Sequence, residues 1–172
     1  MLSQVVQDAL NKQINMEFSS SYSYLAMSAY CELKNFVGSA SWMKIQSQEE
    51  HVHAMKLYDF LIARGCPITF AEISEQRSEF ESVPHVFQQA LKQEHAVSDS
   101  IDALYELAHR EKAFATLVEL QWFITEQVEE EKTIREIVAK FDMVKDDPSA
   151  LLDLDRELGT RPPEDAVADT VA

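Results

Sequence analysis

The amino-acid sequence predicts an all-α protein: a four-helix bundle with one long crossover between its second and third helices and a short fifth helix near the C-terminus. Three observations lead there. Only three Gly and five Pro occur in 172 residues that are 46% hydrophobic, too few turn formers for a sandwich of many short strands. Apolar residues recur at three- and four-residue spacing through four long segments. The connection between the second and third segments is far longer than a helix turn requires.

The periodicity places α1 at roughly 4–34, α2 at 38–65, α3 at 83–111 and α4 at 115–142. Asn35 to Ser39 (NFVGS) forms a short turn, which makes α1 and α2 antiparallel neighbours. From Cys66 to Ser82 the chain carries Pro67 at its start and closes on Ser82, an N-cap residue with Pro84 in the first turn behind it. An extended chain covers about 3.3–3.6 Å per residue, so this stretch spans a bundle whose helices rise about 1.5 Å per residue. The result is two antiparallel pairs joined by one crossover. Lys112 to Phe114 separates α3 from α4 without Gly or Pro, and Asp147-Pro148 reads as an N-cap and first-turn proline for α5 over Ser149–Leu158. The bundle and α5 thus occupy 1–158, and the Pro-bearing, weakly apolar stretch 159–172 is expected to be a disordered tail.

Charge narrows the function classes. Thirty acidic against fifteen basic residues give a formal charge of −15, which repels nucleic acid and anionic membranes and concentrates cations. No segment approaches the roughly 20 uncharged apolar residues of a membrane span, and the N-terminus lacks the basic and apolar regions of a signal peptide. Cys31 and Cys66 form no CxxC and no disulfide framework, so both are read as reduced thiols in a cytoplasmic protein.

Following each apolar stripe through the middle of its helix gives the main functional signal. The α1 stripe runs Leu10, Ile14, Glu17, Ser21, Tyr24; the α2 stripe Met43, Ser47, Glu50, His53, Leu57. In α3 it runs Leu91, Glu94, Val97, Ile101, and in α4 Leu120, Ile124, Gln127, Glu130, Ile134. Burying an unpaired carboxylate costs several kcal/mol even after relaxation. Four at one depth therefore require counter-charge, and no Lys or Arg interrupts the stripes to supply it. A cation is the natural partner. Four carboxylates and one imidazole without thiolate suit iron or manganese, and four carboxylates neutralise two divalent ions.

Taken singly, each residue has an ordinary explanation: a lone Glu on a stripe is usually a boundary residue whose head reaches water, and a lone His a hydrogen-bonded core residue. The joint pattern over four helices favours metal. Tyr24 reads as a donor of a hydrogen bond or an electron to the centre, or as plain core; Gln127 as a weak ligand or an orienting amide. Glu126, Glu129, Glu130 and Glu131, with Glu49 near them on α2, read as a third cation site or as a solvated charged face.

The strings QEEHVHAMKLYDFL (Gln48–Leu61) and LQWFITEQVEEEK (Leu120–Lys132) closely resemble the second and fourth helices of prokaryotic non-haem ferritins, with similarity from about residue 4 to 158. The resemblance implies a first iron site of Glu17, Glu50 and His53 and a second of Glu50, Glu94 and Glu130, with Glu50 bridging. It further implies a supporting role for Gln127, a redox-active position for Tyr24, and a third iron site of Glu49, Glu126, Glu129 and Glu130. It implies a ferroxidase that oxidises Fe(II) with O2 or H2O2 and stores ferric mineral in a 24-subunit homo-oligomeric shell. Helix α4 carries Gln127-x-x-Glu130 in place of a second Glu-x-x-His, and His51 stands where bacterioferritins have their haem-binding Met, so no haem is expected. The rival readings are a di-iron oxidase or peroxidase without storage, and a metal buffer without turnover.

Overall fold

Helices form where the stripes run, and polar chemistry ends them. The computed structural model describes residues 2–145 and 147–162. It contains α1 (Gln4–Leu33), α2 (Val37–Ala63), α3 (Val83–Arg110), α4 (Phe114–Val144) and α5 (Pro148–Leu158), with no strand among the described residues. Ser82 caps α3 by accepting from the backbone N–H of His85 at 3.2 Å, and Asp147 caps α5 by accepting from Ser149 and Ala150 at 2.9 and 3.1 Å. The break between α3 and α4 carries no Gly or Pro because Lys112 itself adopts the left-handed region, with φ of 54°. Among the described residues no helix is long and apolar enough to cross a membrane.

The core divides into two apolar clusters. One joins Tyr24, Met27 and Cys31 of α1 to Met43 of α2, Phe87 of α3 and Ile134 and Phe141 of α4. The other joins Leu10 and Ile14 of α1 to Leu57 and Leu61 of α2, Ile101 and Leu104 of α3 and Leu120 and Phe123 of α4. The early half of α1 therefore meets the late halves of α2 and α3 and the early half of α4, so α2 and α3 run opposite to α1 and α4. Joining α2 to α3 requires the chain to return the full length of the bundle, about 1.5 Å for each residue of a helix.

Asn11 and Asn15, one turn apart on α1, fasten that return. The side chain of Asn11 donates to the Pro67 carbonyl at 3.1 Å and accepts from the Thr69 N–H at 2.7 Å. Asn15 repeats the pattern with the Thr69 carbonyl and the Ala71 N–H, both at 2.7 Å. Farther along, the Tyr30 hydroxyl donates to the Phe80 carbonyl at 2.8 Å. Extended backbone with few neighbours of its own thereby finds partners on the bundle.

Helix α5 is locked to the start of α2 by a buried carboxylate. Asp155 accepts from the N–H of Gly38 at 3.0 Å and from the N–H and hydroxyl of Ser39, each at 2.7 Å. It thus caps the positive end of α2 from a distant part of the chain. The approach is so close that a Cβ on Gly38 would lie 1.7 Å from the Asp155 carbonyl oxygen. Beyond α5, the first residues of the expected tail are held: the Arg161 guanidinium lies 4.4 Å from the centroid of the Trp42 ring. Residues 163–172 of that tail lie outside the described residues.

Removing the Asp155 carboxylate by Asp155→Ala leaves buried donors unmet and is expected to destabilise the chain by about 2–3 kcal/mol. Gly38→Ala should destabilise it at least as much, because backbone must move. Denaturant unfolding checks both, and a variant of either kind as stable as the parent would contradict the lock.

Candidate metal centre

Between the two apolar clusters lies a polar layer to which each long helix contributes. Glu17, Glu50, His53, Glu94 and Glu130 are all buried, Glu94 completely and Glu130 at 9% exposure. They form two groups with one shared member. Ligand-type atoms of Glu17, Glu50 and His53 lie within 4.8 Å of one another, and so do those of Glu50, Glu94 and Glu130. Glu50 and His53 share a face of α2 because residues three apart in a helix are neighbours.

Neutral donors hold the carboxylates. The Gln13 amide donates to Glu17 at 2.7 Å, and the Gln46 amide donates to Glu50 at 3.0 Å and to Glu130 at 2.7 Å. Gln127 donates to Glu94 at 3.2 Å, and the Tyr24 hydroxyl donates to the other oxygen of Glu94. Tyr24 and Gln127 thus sit against the cluster, as their stripe positions suggested. Gln13 and Gln46 were not singled out from the sequence. Their signal was a glutamine one turn ahead of a buried Glu, at i−4 on the same inward face, in α1 before Glu17 and in α2 before Glu50.

These bonds leave a residue of unmet demand. One carboxylate oxygen each of Glu17 and Glu130 is buried without a hydrogen-bond partner. None of the ion pairs among the described residues involves Glu17, Glu50, Glu94 or Glu130. The donor set therefore fits a bound cation: anionic oxygens and one imidazole converge, and no Lys or Arg among the described residues forms an ion pair with them.

The electrostatics express the same strain. Burial raises the Glu17 carboxyl to about 7, its bonds to Gln13 and Glu50 only partly offsetting that, with Glu94 adding repulsion. Burial, then the neighbouring carboxylates, hold Glu50 and Glu130 well above the ordinary range, and burial raises Glu94 as well. Burial followed by the charge of Lys56 lowers His53 to about 4, so its imidazole is neutral and able to ligate at neutral pH. Burial and then Glu94 and Glu50 push the Tyr24 phenol well above its usual value, which keeps it a donor.

Outside this layer, Trp122 stands edge-on to His53 with ring centroids 5.3 Å apart and carries Lys56 over its own ring at 4.8 Å. The remaining predicted residues gather at a separate cavity of about 220 Å³ between α2 and α4, lined by Glu49, Glu126, Glu129 and Glu130 together with Trp42 and Arg161. Glu130 is common to the buried cluster and the cavity. Arg161, in the stretch expected to be loose, forms an ion pair with Glu49 there.

A four-helix bundle with one long crossover and a shared-carboxylate cluster at mid-height defines the ferritin-like class of helical proteins. The chain belongs to that family: residues 7–144 match the Ferritin-like domain. It is 36% identical over 161 residues to a bacterial non-heme ferritin of Staphylococcus aureus, covering 94% of this chain and 97% of that protein. A bacterial non-heme ferritin of Staphylococcus haemolyticus is likewise 36% identical over the same shares. Among solved structures, an open pore ferritin from the hyperthermophilic archaeon Archaeoglobus fulgidus superposes with a TM-score of 0.93 at 41% identity, covering 94% of this chain and all of that one. An engineered closed form of the same ferritin gives 0.92 at 41% identity, over 94% and 99% of the two chains.

The raised carboxyls set a pH dependence whose sign follows from linkage. A carboxyl with a raised folded value keeps its proton after the unfolded chain has lost one, so stability falls as pH rises from 4.5 through the folded value, about 7 for Glu17. His53 acts oppositely, losing stability as pH falls from 6.5 towards about 4, and contributes nothing above 6.5. Metal-free protein is therefore expected to lose stability between pH 6.5 and 8, on the order of 1 kcal/mol per carboxyl involved. Glu17→Gln should flatten that slope, and saturating Zn(II) should reverse it, because the metal requires the deprotonated form. Melting temperatures at four or five pH values decide it; a metal-free protein that gains stability over this interval would refute the assignment.

Proposed function

We propose that the chain is an iron-storing ferroxidase whose substrate, Fe(II), binds as a pair. Glu17, Glu50 and His53 hold one ion and Glu50, Glu94 and Glu130 the other, with Glu50 as the bridge. The observation that carries this reading is the buried carboxylate layer, with unpartnered oxygens on Glu17 and Glu130 and, among the described residues, no ion pair to a basic side chain. The names borne by its relatives, bacterial non-heme ferritins, support iron over other divalent metals.

The residues divide the work. The four carboxylates offset the charge of two divalent ions, and the neutral imidazole of His53 completes the first position. Gln13, Gln46, Gln127 and Tyr24 fix the orientations of the carboxylates, as outer hydrogen-bond partners do at metal centres. Two Fe(II) together give up two electrons, which with two protons convert O2 to H2O2, or H2O2 to two waters. Tyr24, against Glu94, is placed to supply a further electron when the oxidant demands one. The ferric product leaves to hydrolyse and is stored as mineral.

Storage requires an enclosure, so the functional unit is a homo-oligomeric shell of 24 chains. Tyr22, Leu25, Val118 and Val128 support that reading, since each is a large apolar side chain left exposed on a single chain. The acidic composition, the free cysteines and the absence of a long apolar helix among the described residues are consistent with a cytoplasmic site of action.

His53→Ala and Glu94→Ala are each expected to abolish the fast phase of Fe(II) oxidation under air, a loss of at least about a hundredfold. Tyr24→Phe should retain the binding stoichiometry and slow oxidation. Stopped-flow absorbance of the ferric product reads the rates, and unchanged rates in both alanine variants would overturn the proposal. Native mass tests storage: 24 chains of 19.6 kDa give about 470 kDa, whereas a stable monomer or dimer would favour an oxidase that stores nothing.

A further inference from the structure

The cavity beside the centre already contains a cation, and it belongs to the chain. The Arg161 guanidinium pairs with Glu49, donates to the Gln46 side-chain oxygen at 3.0 Å, and stacks on Trp42 at 4.4 Å from the ring centroid. Its side chain is 22% exposed. Two of these contacts bear on iron chemistry. Glu49 is one of four carboxylates around the cavity, and Gln46 is the amide that holds both Glu50 and Glu130. A guanidinium reaching Glu49 and Gln46 together, with its face on an indole, is a fixed arrangement that a lysine does not reproduce.

We propose that Arg161 is a tethered counter-ion that keeps a third metal ion out of the Glu49, Glu126, Glu129, Glu130 cavity, so that any ion entering must displace it. The inference rests on the reading of the buried cluster as a two-ion centre. Two independent features support an exchange of one cation for another. Glu130 has a buried oxygen without a partner, so the cavity retains anionic demand that Arg161 does not meet. Arg161 also lies beyond the end of α5: its backbone N–H donates to the Leu158 carbonyl at 3.3 Å, while its side chain alone enters the cavity, so the guanidinium can swing out with that backbone bond kept. A third site of Glu49, Glu126, Glu129 and Glu130, as the sequence resemblance implied, is thus a conditional one in this chain.

The test is anaerobic titration of assembled protein with Fe(II), and with Zn(II) as an ion that cannot be oxidised, comparing the parent with Arg161→Ala and Arg161→Lys. The parent should take up two ions per chain strongly. Arg161→Ala should take up a third, with an affinity at least about tenfold above any third-ion binding by the parent, the effect of removing one positive charge from a partly buried site. Arg161→Lys should lie between them, because it keeps the charge and loses the fork. A merely structural role for Arg161 would not add a binding equivalent. Equal stoichiometry and equal affinities in the parent and Arg161→Ala, at two ions or at three, would overturn the proposal. Repeating the titration in Glu94→Ala separates the two readings. If the two-ion centre is wrong, Glu94→Ala leaves the first two equivalents unchanged, whereas the Arg161 comparison is made on the additional equivalent alone.

Discussion

Four carboxylates buried at one level of a helical bundle impose the constraint from which the rest of the molecule follows. Each would cost several kcal/mol alone, and together they repel one another. The chain answers with neutral donors. Gln13, Gln46, Gln127 and Tyr24 each donate a hydrogen bond to a carboxylate oxygen without cancelling its charge. An arginine in one of these places would have offset one of the four negative charges internally and weakened the layer's attraction for a cation. Amides and a phenol order the acceptors while leaving the charge to be met from outside. The stability forgone in the layer is made up above and below, where two apolar clusters contain the large aliphatic and aromatic side chains.

Such a layer works only if four helices present their ligands at the same height. One residue of slippage along a helix is about 1.5 Å, enough to separate atoms that must converge on one ion. The fixtures that prevent slippage lie outside the layer itself. Asn11 and Asn15 anchor the crossover to α1, and Asp155 holds α5 on the first turn of α2. Each uses backbone hydrogen bonds, which are directional and leave little freedom in register. The turn at Asn35, with φ of 64°, and that at Lys112 close the two helix pairs in the same left-handed manner. Hydrogen bonding outside the carboxylate layer therefore fixes its register together with the packing of the helices.

What was legible in the sequence followed periodicity. A buried Glu on an apolar stripe is visible because it breaks a pattern, so Glu17, Glu50, Glu94 and Glu130 could be read without a structure, as could the caps Ser82 and Asp147. Gln13 and Gln46 were not, because glutamine is an ordinary helix residue and its direction matters only once the neighbouring helices are in place. Asn11 was hidden for the same reason: its partner is backbone more than fifty residues away. The break at Lys112 was faint because its left-handed conformation falls on a lysine, without the glycine that usually marks one. The contacts of Arg161 were hidden for a different cause: composition describes its stretch as polar and Pro-bearing, and the residues its side chain meets on α2 lie more than a hundred positions away.

Glu130 joins the buried carboxylate cluster to the outer cavity. It belongs to the buried group with Glu50 and Glu94, and it also lines the outer cavity with Glu49 and Arg161. Gln46 reinforces the link, since one amide binds Glu50 and Glu130 while its oxygen accepts from Arg161. Charge on either side of Glu130 is therefore felt on the other, through a chain of three contacts and a medium less polar than water. A positive group in the cavity, here the Arg161 guanidinium, stabilises the negative charge of Glu130 and so lowers the attraction that Glu130 would exert on a cation in the buried cluster.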